Sequence, residues 1–527
     1  MKKFAKIFIL SILCIFTFTE CEKQLELSPL GQLDENTFYQ TENDFEAASL
    51  SPYSTLLNFY FDQTGLGWYQ GVLYPDDDVT APNNSSNDQE DFNWNPNNDQ
   101  FTYLWEQSYK GIQRANIIID RLPLAKQFSD VAKKARYEAE AKFLRAYFHF
   151  LLAIHFGNPP VSEKAITIIS EARKGNSQPG EIWNLIISDL QYAKANLPAD
   201  WDAKNKGRVT SGAATGMLGK VYLYRAQWEN NPSFYASAIS EFNSIVASGK
   251  YTLIPTFEEN FNPNTENNQE SLFEIQFTRG DFNPWLPTDF GADGDQNVGA
   301  AGTARNIFWR PSCGPGNVCA PGANGMGYGQ VHVTLPLQNE FEPNDPRIAN
   351  TYWRAGDDFL GEPYDPAWSV TGSTPAKYVR QNLIEFSFPL NIEENNDRII
   401  RYADVLLMLA EAELLGNNNV EKAAQLINQV RKRADPTGTI LPDRPATVDK
   451  NQMFGWLRHE RRVEFALEGN RYNDLVRWHR ASLINIKTDI NFGRTAANQN
   501  WSEKHLLKPI PQRELDLNSN LVQNPLY

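Results

Sequence analysis

The chain has 527 residues, 41% of them apolar and 12% aromatic, with a formal net charge of −15. That length exceeds the usual single hydrophobic core and implies two packed lobes or a repeat array, while the aromatic share weighs against disorder. The acidic balance excludes nucleic acid as a partner, because such binding depends on Lys and Arg neutralising phosphates.

Lys2, Lys3 and Lys6 form a basic start ahead of an uncharged, mostly apolar run from Ile7 to Thr19. The run is too short to cross a bilayer, which takes about 20 apolar residues, and it suits a secretory signal over residues 1–20. It closes as FTFTEC, which puts Cys21 where a bacterial lipoprotein is cleaved and acylated. Glu20 stands where Gly, Ala or Ser is usual, so plain secretion with Cys21 as a spare thiol is the competing expectation. Residues 21–40 then read as a tether, and anchoring is expected through lipid alone.

Helical periodicity begins beyond residue 40. Trp105, Tyr109, Ile112, Asn116 and Ile119 share one face of a helix that Pro123 stops. Leu144, Tyr147, Phe148 and Leu151 do the same in EAKFLRAYFHFLLAIHFGNPP, ended by Gly157 and two prolines. Faces at Ile182, Leu185, Ile186 and Ala193, then at Ala214, Met217, Leu218 and Val221, and at Tyr235, Ala238, Ile239, Phe242 and Val246 continue the series. After residue 395 the pattern returns in RYADVLLMLAEAELLGNNNVEKAAQLINQVRKRA, two helices split by GNNN, the length and layout of a tetratricopeptide unit. The expected fold is therefore mainly α. A tetratricopeptide-like scaffold of helical pairs (41–250 and 396–480) carries a loop-rich, irregular subdomain (251–395), and residues 481–527 pack on the scaffold.

Within that subdomain ARNIFWRPSCGPGNVCAPGANGMGYGQ, residues 304–330, is rich in glycine and proline and holds Cys313 and Cys319. In an oxidising compartment the pair is expected to form a disulfide, for which the glycines and proline permit a tight bend. Metal binding competes, but a lone CxxxxxC lacks two of the four ligands a structural zinc needs.

Tests for catalytic chemistry fail. The six histidines make no HExxH pair, and there is no GxSxG elbow, P-loop or CxxC. Asp293, Asp295 and Asn297 open like a calcium loop whose sixth-position Gly and twelfth-position Glu are missing, so no cofactor is expected and calcium is only a minor alternative. In ERRVEFALEGNRYNDLVRW the carboxylates of Glu460, Glu464 and Asp474 resemble a glycosidase pair. Yet Met453, Trp456, Leu457, Glu460, Glu464 and Leu467 share one helical face, so the glutamates point at a packed neighbour. A structural ion-pair network with Arg461, Arg462, Arg471 and Arg477 is expected there.

These motifs, with INQVRKRA and the ending LLKPIPQRELDLNSNLVQNPLY, resemble the SusD/RagB family of surface glycan-binding lipoproteins of Bacteroidetes, in the same order over nearly the whole mature chain. The resemblance implies a non-enzymatic protein that captures an oligosaccharide and passes it to a SusC-like TonB-dependent transporter in the outer membrane. It also implies ligand contacts on loops in two regions. A sugar ring offers an apolar C–H face to aromatic side chains and a rim of hydroxyls to Asp, Asn and Arg. The first region supplies Trp68, Asp76, Asp77, Asp78, Asn93 and Trp94, with Trp94 the first candidate. The second supplies Trp285, Trp309, Arg310 and Tyr328, and Arg380 reaches from the end of the subdomain. The aspartates also read as a turn or as caps. Few basic residues in these loops favour a neutral glycan, a β-fructan being the first to test. A helical glycoside hydrolase and a tetratricopeptide adaptor for proteins are the alternatives.

Overall fold

The computed structural model describes residues 38–61, 69–81, 87–278, 280–282, 303, 305–312, 328–382, 390–392 and 394–527. Its principal helices are α1 (Glu42–Ala48), α2 (Leu50–Phe61), α3 (Asp99–Arg121), α4 (Val131–Phe156), α5 (Glu181–Asn196), α6 (Ser211–Trp228) and α7 (Ser233–Ser248). After the irregular segment come α8 (Tyr402–Asn417), α9 (Val420–Ala434), α10 (Lys450–Phe465) and α11 (Arg471–Arg480). From α3 to α9 each helix packs on its successor, as expected of stacked helical pairs. The stack is not broken by the intervening segment: α7 lies directly against α8 although about 150 residues separate them in sequence.

Local chemistry sets these boundaries. Asp130 caps α4 by accepting from the Ala132 N–H, and Gly157 ends it at φ 80° and ψ −100°, a positive-φ conformation that favours glycine. Every residue of α4 from Phe143 to Phe156 is buried, which fits a sequence that is apolar on all sides there. Gly111 lets α3 come close, since a Cβ at that position would sit 2.2 Å from the Phe148 ring. Between α8 and α9, Asn418 supplies the left-handed cap and the Asn419 side chain accepts from the Lys422 N–H.

The irregular segment leaves and rejoins the frame at one place. Strand β2 (Ser271–Ile275) pairs antiparallel with β4 (Asp397–Arg401), and the Tyr402 N–H bonds to the Glu270 carbonyl. Buried charges weld this base to α10. Arg401 reaches Glu464 at 2.6 Å, Glu270 at 2.8 Å and Glu468 at 3.0 Å; Arg347 reaches Glu460 at 2.6 Å and Glu464 at 3.1 Å. Arg433 also pairs with Glu464, and Arg431 with Glu460. Burial alone would raise Glu464, but Arg433, Arg401 and Arg347 hold it well below the usual carboxylate range. The ion-pair network read from the helical face is thus present, with a correction to its partners. Glu460 and Glu464 meet Arg347, Arg401, Arg431 and Arg433, whereas Arg461 and Arg477 serve Asp474. Sequence-adjacent arginines lie on other faces of α10 and α11, so tertiary packing supplies the partners.

The last residues close the end of α4. The Lys508 N–H bonds to the His155 carbonyl at 2.7 Å, and the Asn524 side chain donates to the carbonyls of Phe156 and Lys508. Lys508 is itself buried, its Nζ 3.0 Å from His155 Nδ1, with no carboxylate in pairing distance among the described residues. Burial lowers its pKa from 10.5 to about 7. Between those values the unfolded chain binds the extra proton, so stability rises with pH across this window and the full penalty applies below it. Lys508→Met should therefore gain on the wild type by about 2–3 kcal/mol when urea denaturation at pH 6 is compared with pH 9. A difference independent of pH would contradict a neutral Lys508.

Candidate ligand-binding site

The two loop regions expected to hold a ligand are brought together. Strand β1 (Val79–Thr80) pairs antiparallel with β3 (His332–Val333), Val79 opposite Val333 and Thr80 opposite His332. Thr334 extends the seam, its N–H on the Asp78 carbonyl at 2.9 Å and its hydroxyl on the Asp77 carbonyl at 2.6 Å. The Tyr74 hydroxyl donates to the Gln330 carbonyl at 2.6 Å. Arg494, from the C-terminal segment, braces the same seam through the carbonyls of Val79 and Glu90.

The aspartate triplet is part of this bracing and not a ligand rim, which corrects the expectation for all three residues. Asp76, Asp77 and Asp78 are buried. Arg471 grips Asp77 with two bonds of 2.7 and 3.0 Å, and Arg462 donates to Asp78 at 2.8 Å. Burial works against ionisation of Asp77, yet Arg462 and Arg471 hold it down at about 2. Asp76 has no arginine in pairing distance among the described residues. Its Oδ1 accepts the N–H groups of Asp78 and Val79, and burial next to two like charges pushes its carboxyl well up. One acid held by backbone N–H groups and two held by arginines explain why a loop so polar in sequence disappears into the interior.

Trp94 is a second correction. It is 3% exposed and packs on Phe101, Phe92, Tyr472 and His505, with centroids 5.1–5.9 Å away, and its indole N–H donates to the Gln89 carbonyl at 2.9 Å. Neither face is offered to solvent. Asn93 beside it is exposed, its carboxamide oxygen 3.3 Å from the Asn500 Nδ2. Trp309 is likewise fully buried, edge-on to Tyr378 at 6.2 Å, and Arg310 is buried with its guanidinium 5.7 Å from the Phe359 ring centre. Arg380 is half-buried; it stacks 3.7 Å from the centre of Trp353 and pairs with Asp357 at 3.0 Å, so its charge is engaged within a small aromatic cluster of Trp353, Phe359, Tyr364 and Trp368. Trp68 and Trp285, Cys21, Cys313 and Cys319, and the Asp293, Asp295 and Asn297 run lie outside the described residues.

Tyr328 is the candidate that remains open, at 37% exposure. Its ring lies 5.5 Å from that of Phe308 with 30° between the planes, two aromatic surfaces close to parallel. Both ends of the 304–330 stretch are clipped together by the Gly329 N–H on the Arg310 carbonyl and the Gln330 N–H on the Phe308 carbonyl. Gly329 sits at φ 53°, where a Cβ would meet Ser312 at 3.1 Å, so glycine is needed beside Tyr328. His332 fixes the same turn. Burial lowers it to about 4, so the ring is neutral; Nε2 donates to the Gly329 carbonyl at 3.0 Å and Nδ1 accepts from the Ser369 hydroxyl at 2.6 Å. Phe308 was not singled out in the sequence. Its signal was the dipeptide FW, since neighbours on a helical turn point about 100° apart and so meet different surroundings. Among the described residues no group of three His, Cys, Asp or Glu is arranged to hold a metal ion.

Fold and site together define a helical-repeat protein with a loop-built binding surface braced on its frame. A family model described as "SusD family" matches residues 323–527, and one described as "Starch-binding associating with outer membrane" matches residues 72–223. The chain is 27% identical to the SusD-like protein P25 of Formosa agariphila, over 98% of this chain and 97% of that one. Among solved structures, a SusD superfamily protein from Bacteroides vulgatus aligns with a TM-score of 0.74 at 25% identity, covering 93% of this chain and all of the other. Surface glycan-binding protein A from Bacteroides thetaiotaomicron, in complex with laminarihexaose, aligns with a TM-score of 0.71 at 25% identity over 92% of this chain and all of the other. The chain is a SusD-like protein.

Proposed function

We propose that this protein is a surface glycan-binding lipoprotein, anchored to the outer membrane through Cys21, that captures a neutral oligosaccharide and passes it to a SusC-like TonB-dependent transporter. The observation that carries the binding reading is the exposed Tyr328 ring beside Phe308, at a seam where both loop regions are tied to the helical frame. Placing recognition groups on a braced seam lowers the ordering cost of holding a flexible sugar. The laminarihexaose complex of a relative supports the ligand class. Binding and not hydrolysis is favoured because Glu460 and Glu464, the carboxylates that most resemble a catalytic pair, are fully buried and saturated by arginines. No helix among the described residues is long and apolar enough to cross a membrane, which is compatible with lipid anchoring.

Affinity electrophoresis of residues 22–527 in gels containing laminarin, a β-fructan, xylan or mannan tests this reading. One polymer should retard the wild type, and Tyr328→Ala should weaken that retardation about tenfold, as loss of a central aromatic contact does. Unchanged retardation of the variant removes Tyr328 from the site; no retardation of the wild type by any polymer removes the ligand class.

A further inference from the structure

A cleft of about 370 Å³ opens between the 200–210 turn and strand β2, and shares no residue with the Tyr328 seam. A cavity of about 300 Å³ continues it past Lys206, Gly207 and Arg208, which line both. The turn is built to lie on the strand: the Asp202 side chain accepts from the Asn205 N–H, and Gly207, at φ 95°, leaves no room for a Cβ, which would sit 2.4 Å from Gln276.

Trp201 lines this cleft, half-buried and immobilised. Its indole N–H donates to the Val209 carbonyl at 2.8 Å, and the guanidinium carbons of Arg136 and Arg208 lie 5.0 and 4.9 Å from its ring centre. Arg208 is in turn locked by Glu140 and Glu46. Tyr251, Asn268, Gln269 and Ser271 line the same cleft. The Asn268 oxygen accepts from the Glu270 N–H and the Gln269 oxygen from the Thr252 hydroxyl, so both carboxamides are oriented. Their NH₂ groups, and the hydroxyls of Tyr251 and Ser271, have no hydrogen-bond partner among the described residues. The charged lip residues Asp200 and Lys250 neutralise each other at 2.6 Å.

We propose that this cleft is a second carbohydrate-binding site, taking a neutral oligosaccharide. A rigid indole suits the C–H face of a sugar ring, and oriented amide and hydroxyl groups suit its hydroxyls. A polymer caught at two points on one protein is retained longer than either contact alone allows. The inference rests on the proposed glycan ligand class but not on Tyr328.

The test uses the Tyr328→Ala protein with ¹⁵N-labelled indoles, titrated into the millimolar range with laminarihexaose and with fructan, xylan and mannan oligosaccharides. The Trp201 resonance, assigned by Trp201→Phe, should shift saturably with one of them. Asn268→Ala and Gln269→Ala, which alter half-exposed or exposed side chains, should each weaken that shift about fivefold. A Trp201 signal unmoved by all four sugars overturns the proposal, as does a signal moved by a mixture of short peptides and by no sugar. Failure of the Tyr328 reading would show separately, as unchanged gel retardation of that variant.

Discussion

Glu464→Gln should lose about 3–5 kcal/mol of stability in urea denaturation at pH 7, although the substitution keeps the shape of the side chain. The carboxylate is fully buried and faces Arg347, Arg401 and Arg433 together. An amide leaves three guanidinium groups sharing a neutral oxygen in a site from which water is excluded, and a buried charge without its partner is the costly case. Glu270, Glu460 and Glu468 offset part of the loss, because Glu270 also touches Arg401 and Arg433, Glu460 touches Arg347 and Glu468 touches Arg401. The pH dependence has a definite sign. Glu464 is ionised in the folded protein far below its ordinary value of 4.5, so its contribution is complete above 4.5 and declines as pH falls below it. The gap between wild type and variant should narrow in acid. A loss under about 1 kcal/mol at pH 7 would mean that the arginines find other partners and that the network is redundant. Because Arg347 and Glu270 belong to the irregular segment and Glu464 to α10, the same variant should also loosen the segment that presents Tyr328.

Most of the frame was legible because helical periodicity is a local property. The 402–434 pair, the stop at Pro123 and the inward turn of Glu460 and Glu464 all follow from residues within a few turns of each other. What was not legible is contact across long separations. Nothing near α7 announces that it packs on α8, and nothing near Asp77 announces Arg462 and Arg471, nearly four hundred residues away. Composition therefore misdirected the site: a run such as YPDDDV reads as a solvated loop until its partners are known. Aromatic residues in loops have the same ambiguity. Trp309, Trp94 and Tyr328 stand in similar Gly, Pro and Asn surroundings, and only packing separates a plug from a platform. Phe308 and Trp309 are neighbours on one helical turn, where side chains point about 100° apart, so one can be core while the other stays half-exposed, and the sequence alone does not say which.

Trp94 makes that distinction measurable. Trp94→Ala should cost about 3–5 kcal/mol, the range for deleting a large buried aromatic side chain, and should leave glycan affinity within about twofold in the fraction that stays folded. The ring fills the space between Phe92, Phe101, Tyr472 and His505, and Lys508 lies 5.3 Å from its centre. Removing it opens a cavity against a buried lysine, so water enters beside Lys508 and its pKa should climb from about 7 toward the ordinary 10.5. The pH sensitivity that Lys508 gives the wild type between pH 6 and 9 should then flatten in the variant. Trp94→Phe, which keeps an aromatic ring but loses the bond to the Gln89 carbonyl, should cost only about 1–2 kcal/mol. If Trp94→Ala instead denatures like the wild type and loses retardation in the polysaccharide gel, the ring must turn outward to meet ligand, and the packing seen around it would be a resting state that binding opens.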